Sequence, residues 1–104
     1  MMIARWTCQA KFGMKSEALA LHKEWAEQIG SQTDIDMSGS RVLTGSVGAK
    51  EAVIQNEIEI ANLAELDAFF EKIASIKMHA EWGKKMGEVI VSGSTYWEVF
   101  RVVE

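Results

Sequence analysis

Apolar residues in this chain change their spacing as it proceeds, from every second position to every third or fourth and back again. From Met2 to Lys11 the alternation is strict: Met2, Ala4, Trp6, Cys8 and Ala10 share one face, and Ile3, Arg5, Thr7, Gln9 and Lys11 the other. Successive side chains of an extended strand point to opposite sides, so ten alternating residues predict a strand, broken at Phe12-Gly13. From Lys15 to Ile29 the period is helical. Ala18, Leu21, His22, Trp25 and Ile29 form a stripe while Lys23, Glu24 and Glu27 point away. Ser16 is placed to cap this helix, and Gly30 stands where a terminating glycine belongs.

Ser31 to Ser40 shows no apolar period and reads as a surface loop, a place where ligand contacts are common but a plain connection is commoner. Arg41–Val47 and Ala52–Ala61 then read as a hairpin around Gly48-Ala49-Lys50-Glu51. Its second strand divides cleanly, with Ile54, Asn56, Ile58 and Ile60 on one side and Val53, Gln55, Glu57 and Glu59 on the other. One apolar and one polar face is what a sheet covered on one side requires. Asn62-Leu63-Ala64-Glu65 opens a second helix as a variant capping box. Leu66, Phe69, Phe70, Ile73, Ile76 and Ala80 carry that helix into the low eighties, where Gly83 and Gly87 mark its decay. Val89–Val91 is an apolar stretch that no period assigns. After Gly93-Ser94 the β-branched and aromatic run Thr95–Val103 predicts a last strand.

The order βαββαβ is the ferredoxin-like arrangement, an α+β fold with two helices on one face of an antiparallel sheet. At 104 residues it accounts for the whole chain as one domain, residues 1–104. The other sheet face is left uncovered, and a second subunit is its simplest cover.

Composition narrows the function by exclusion. A net charge of −4 counts against nucleic acid and anionic membranes as partners. No apolar run reaches the roughly 20 residues of a membrane helix. The start Met1-Met2-Ile3-Ala4-Arg5 lacks a signal-peptide pattern, and one cysteine cannot form an internal disulfide, so a cytoplasmic setting is expected. Two distant histidines and a lone Cys8 make no short-spaced metal set, and no glycine-rich phosphate motif occurs, so neither a metal nor another cofactor is expected.

Few residues carry chemistry. His22 lies on the helical stripe one turn from Trp25, placed to act as a base or orient a substrate oxygen, or simply to be a buried, hydrogen-bonded histidine. His79 precedes Trp82 by three residues and flanks the same region, or faces solvent. Arg5, Glu57, Glu59 and Arg101 all fall on strands, where cross-strand pairing is the first expectation and a polar substrate the second. Cys8, on an apolar face, reads as a small core residue. Four tryptophans in so short a chain form either core or the walls of a small aromatic site.

An N-terminal strand ending in Phe12-Gly13, a first helix carrying His22-Lys23-Glu24-Trp25, a hairpin, an acidic second helix ending near Trp82 and a closing strand Trp97-Glu98-Val99-Phe100-Arg101-Val102 together resemble the dimeric α/β-barrel superfamily. Within it the chain looks like the NIPSNAP-related and antibiotic-biosynthesis-monooxygenase domains. The resemblance covers nearly the whole chain and rests on pattern. It implies a homodimer whose sheets pack face to face, with a pocket between sheet and helices for a small apolar or aromatic molecule. It also implies an alternative, a cofactor-independent monooxygenase-like enzyme or a related isomerase or lyase. From their positions in this chain, His22 is the candidate catalytic residue, as base or for orientation, with Trp6, Trp25, His79, Trp82 and Tyr96 as substrate-binding candidates. Haem-degrading members use an asparagine on the first strand with a tryptophan and a histidine downstream. Here that strand carries Thr7, Cys8 and Gln9, and His79 precedes Trp82, so the haem pattern does not match.

Overall fold

Small side chains on the first strand let helices approach it closely. Ala4 and Cys8 are both fully buried, and the strand that carries them is an inner one. In the computed structural model, which describes residues 1–104, β1 (Met2–Gln9) is followed by α1 (Lys15–Gln28), β2 (Arg41–Thr44), β3 (Val53–Ile60), α2 (Leu63–Ala74), α3 (Lys77–Val89) and β4 (Tyr96–Arg101). All pairings are antiparallel, in the order β2-β3-β1-β4. The helices cover one sheet face, and the core between them joins Ala4, Cys8, Ile54, Ile58 and Ile60 of the sheet to Trp25, Phe69, Trp82 and Met86 of the helices. This is the expected α+β, ferredoxin-like arrangement, with three helices where two were expected. No helix is long and apolar enough to cross a membrane.

The extra helix comes from a break at Ser75-Ile76. The Ser75 hydroxyl donates to the Lys72 carbonyl at 2.6 Å, and Ile76 turns extended at φ −92°, ψ 112°. Side-chain bonds of this kind compete with the helical ladder, so the chain restarts in a new direction. Gly83 and Gly87, expected to mark the end of the helix, lie inside α3. The unassigned Val89–Val91 ties the end of α3 to β1. Ile90 bridges Ala10, and the Val91 amide donates to Gln9 at 2.8 Å.

Local signals held unevenly. The Asn62 side chain accepts from the Glu65 amide at 2.9 Å, while the Glu65 carboxylate accepts from the Ala61 amide at 3.0 Å, a capping box displaced by one residue. Ser16 caps nothing, because α1 starts earlier, from Met14, without a side-chain bond. Gly30 opens a short 3-10 turn instead of ending α1 in a left-handed conformation. Its lack of a side chain serves packing: a Cβ there would stand 2.9 Å from the Met37 methyl and 3.1 Å from the Trp25 ring. The first hairpin strand stops at Thr44, short of Val47, since Gly45 passes so close to the Lys50 carbonyl that no Cβ fits. The Ser31–Ser40 segment is a packed connection with two 3-10 turns, burying Ile35.

The other face of the sheet carries no helix. Register places Arg41, Glu57, Arg5 and Glu98 in one row across all four strands, alternating in sign. Glu57 is 2% exposed and accepts from Arg5 at 2.6 Å and from Arg41 at 2.7 Å. Burial alone would push its carboxyl up, but the two guanidinium groups outweigh that and hold it below the usual range. Arg5 also lies 4.6 Å over the Phe100 ring. Cross-strand pairing was expected for Arg5 and Glu57, and Arg41 completes the set. Glu59 is exposed and outside the cluster, and Arg101 pairs with Met2, which places it on the helix-side face.

Candidate ligand-binding pocket

Because the sheet register sets Asn56 opposite Trp6 and Trp6 opposite Trp97, these three side chains form a row on the helix-side face. With Ile58 they make one wall of a cavity of about 210 Å³. Phe69, Phe70 and Ile73 from α2, His79 and Trp82 from α3, and Trp25 from α1 make the rest. All four tryptophans line it. The break at Ser75-Ile76 is what brings α3 over the row: a single continuous helix would run on along the direction of α2.

Two of the indoles are fixed by their own N–H groups. Trp82 donates to the Leu21 carbonyl at 2.7 Å, locking α3 to α1. Trp25 donates to Nδ1 of His79 at 3.0 Å. An acceptor at Nδ1 means that His79 carries its proton at Nε2 and is neutral. Burial lowers its pKa in the same direction. The His79 ring also stacks on Trp82, with centroids 5.9 Å apart and planes 18° from parallel. Edge-on contacts of Trp25 with Phe69 and of Phe70 with Trp97 complete the aromatic wall. Aromatic pairs in these geometries contribute stability beyond area burial, so the walls of the cavity are stabilised by contacts among themselves.

His22 sits elsewhere. It is 1% exposed and lies behind the wall, its ring 5.4 Å from Trp6 and 6.1 Å from Trp82. Its Nε2 is 3.7 Å from the Cys8 sulfur, and its Nδ1 has no partner. Burial lowers the histidine to about 4 and pushes the thiol up to about 11, so both are neutral near pH 7. A thiolate–imidazolium pair is therefore absent, in keeping with Cys8 as a core residue. Of the six candidate residues, the fold brings Trp6, Trp25, His79 and Trp82 to the cavity. It places His22 behind that wall. Tyr96, opposite Thr7 in the register, goes to the uncovered face with half its surface exposed.

Asn56 was not singled out beforehand, although a signal existed. It is the one polar residue on the Ile54, Asn56, Ile58, Ile60 face. A polar side chain on a core face is either satisfied there or presented to something.

No protein-family model matches the chain, and no curated protein matches it in sequence. Solved structures do share its shape. A NIPSNAP family protein from Agrobacterium tumefaciens superposes with a TM-score of 0.78 at 13% identity, covering 99% of this chain and 93% of that one. An antibiotic biosynthesis monooxygenase superposes at 0.71 with 12% identity over the whole of both chains. SnoaB, a cofactor-independent oxygenase from Streptomyces nogalater, gives 0.67 at 11% identity, covering 99% and 93%. The chain is therefore an α+β protein with the ferredoxin-like fold. Its structural neighbours are NIPSNAP-domain and antibiotic-biosynthesis-monooxygenase-like proteins, as the sequence pattern implied, and at these identities the likeness is one of fold.

Proposed function

We propose that this protein is a homodimer that binds a small apolar or aromatic molecule between its sheet and its helices. The observation that carries the reading is the cavity of about 210 Å³ whose ten lining residues include eight hydrophobic ones. Pockets that are mostly apolar with a few convergent polar groups are the usual form of a small-molecule site. A dry cavity of roughly 150 Å³ accommodates a single benzene ring, so this one suits one ring or two fused rings. The dimer is proposed through the uncovered sheet face, where the Arg41–Glu57–Arg5–Glu98 row is flanked by the exposed Tyr96 and Phe100. An alternating charge row with aromatic flanks suits a self-complementary two-fold contact.

The alternative reading is a cofactor-independent monooxygenase-like enzyme, favoured by the fold shared with SnoaB. In that case the Nε2–H of His79 at the cavity wall orients and polarises a substrate oxygen, its Nδ1 being taken by Trp25. His22 then acts on Trp6 from behind, since its lowered pKa and burial make it a poor base for a bound substrate. Native mass spectrometry of the purified protein tests the main reading. A dimer carrying small-molecule mass supports both halves of it, whereas a monomer at micromolar concentration, confirmed by sedimentation, overturns the dimer. If an activity is found, His79→Phe is expected to abolish it and His22→Ala to reduce it. The reverse order would return the catalytic role to His22.

A further inference from the structure

The polar groups left over in the cavity define the ligand more narrowly than its apolar walls do. Trp25 and Trp82 have spent their N–H groups inside the protein. Asn56 makes no hydrogen bond to the protein through its side chain, and neither do His79 through Nε2 or Trp6 and Trp97 through their indole N–H. The unpaired set is therefore rich in donors: an amide NH₂, an imidazole N–H and two indole N–H groups, against the single amide oxygen of Asn56. No Lys, Arg, Asp or Glu lines the cavity. Trp25 holds His79 neutral by donating to it.

Resting on the small-molecule reading above, we infer that the site takes a neutral, flat, one- or two-ring arene bearing an oxygen acceptor, an aryl ketone or a phenol. Its oxygen is received by Asn56 and the Nε2–H of His79. A ketone oxygen has two lone pairs for those two donors. A phenol hydroxyl accepts from one and donates to the amide oxygen of Asn56. A carboxylate or an ammonium would enter with no counter-charge and lose its hydration, so charged arenes are rejected. An arene without oxygen leaves the donors unpaired, and a site built around a hydrogen bond penalises the analogue that lacks it.

A matched series on one skeleton tests this: indane, 1-indanone, indane-1-carboxylate and 1-aminoindane, titrated into the isotope-labelled protein and followed by heteronuclear NMR. A purely apolar cavity ranks indane first, because the ketone is the better hydrated solute. The inference requires the opposite, 1-indanone about tenfold tighter than indane, with both charged compounds weakest. Asn56→Leu should then remove the preference for 1-indanone over indane, read as the ratio of the two affinities. If indane equals or beats 1-indanone, or if a charged analogue binds tightest, the inference is overturned while the small-molecule pocket stands. If none of the four gives a saturable shift, the pocket reading falls and the inference with it.

Discussion

The two faces of this sheet are organised by different physics. On the helix side, Trp6, Trp25 and Trp82 are held by ring contacts and by two indole N–H bonds, and charge is absent from the cavity wall. On the other side, a buried carboxylate is gripped by two arginines, and the aromatics Tyr96 and Phe100 stand half exposed. The first face stabilises the chain through packing, the second through a compensated charge on a face that no helix covers. Large-to-small changes should therefore cost most on the covered face. Trp25→Ala removes a side chain only 6% exposed and leaves Nδ1 of His79 without its donor. We expect a loss of about 3–5 kcal/mol in urea unfolding. Phe100→Ala should cost about 1 kcal/mol or less in unfolding and, on the proposed dimer, weaken self-association. Equal costs for the two would erase the distinction between the faces.

Acid separates the faces a second way. The folded state lowers His22 from 6.5 to about 4 by burial. It therefore binds fewer protons than the unfolded chain, so stability is complete above about pH 6.5 and declines as pH falls toward 4. The full decline is about 3 kcal/mol. Glu57 is held below its ordinary 4.5, so its contribution is present above that value and is lost only at lower pH. Stability measured between pH 7 and 3 should fall first through the covered face and then through the open one. Replacing His22 by Met should remove most of the decline in the upper part of the curve, leaving the smaller share of His79, whose pKa burial also lowers, and should leave the lower part in place. A flat wild-type profile above pH 4.5 would show that burial does not hold His22 neutral.

Glu57→Gln probes the open face directly. It removes the negative charge that Arg5 and Arg41 share while keeping the shape and one hydrogen-bond acceptor. Breaking a buried pair from one side is costly, but Arg41 is largely exposed and Arg5 partly so, and water relieves both. A loss of about 2 kcal/mol in thermal or urea unfolding is expected. Loss of the proposed dimer without loss of folding stability would instead assign the row wholly to that interface.

Much of this was legible because periodicity reports which side a residue faces. The alternation from Met2 placed Trp6 and Cys8 toward the helices and Arg5 away from them, and the stripe on α1 placed Trp25 with them. Register was not legible. Arg41 meets Glu57 only because the hairpin closes where Gly45 lies against Lys50, and the four-residue turn expected from Gly48 gave no means of counting that offset. Tyr96 was lost to the pocket for the same reason: in a closing strand of mixed aromatic and β-branched residues, both parities look apolar. Asn56 was visible as a break in an apolar face, yet only the opposite placement of Trp6 gave that break a meaning.

The misread glycines of α3 yield the smallest prediction and test why the helix exists. Composition made Gly83 and Gly87 look like the end of a helix, whereas the break lies upstream at Ser75-Ile76 and α3 runs through both. Neither has a positive φ, and a Cβ at either would meet nothing within 4 Å. They are thus ordinary helical positions occupied by the residue that loses most backbone freedom on folding. Gly83→Ala and Gly87→Ala should each raise stability by about 0.5–1 kcal/mol without altering ligand binding, since neither lines the cavity. If α3 gains that stability and the pocket is unchanged, the helix is held by Trp82, Met86 and Val89 on its buried side. If either change weakens ligand binding instead, the glycines serve a motion of α3 over the tryptophan row, and the cavity is gated by the element that closes it.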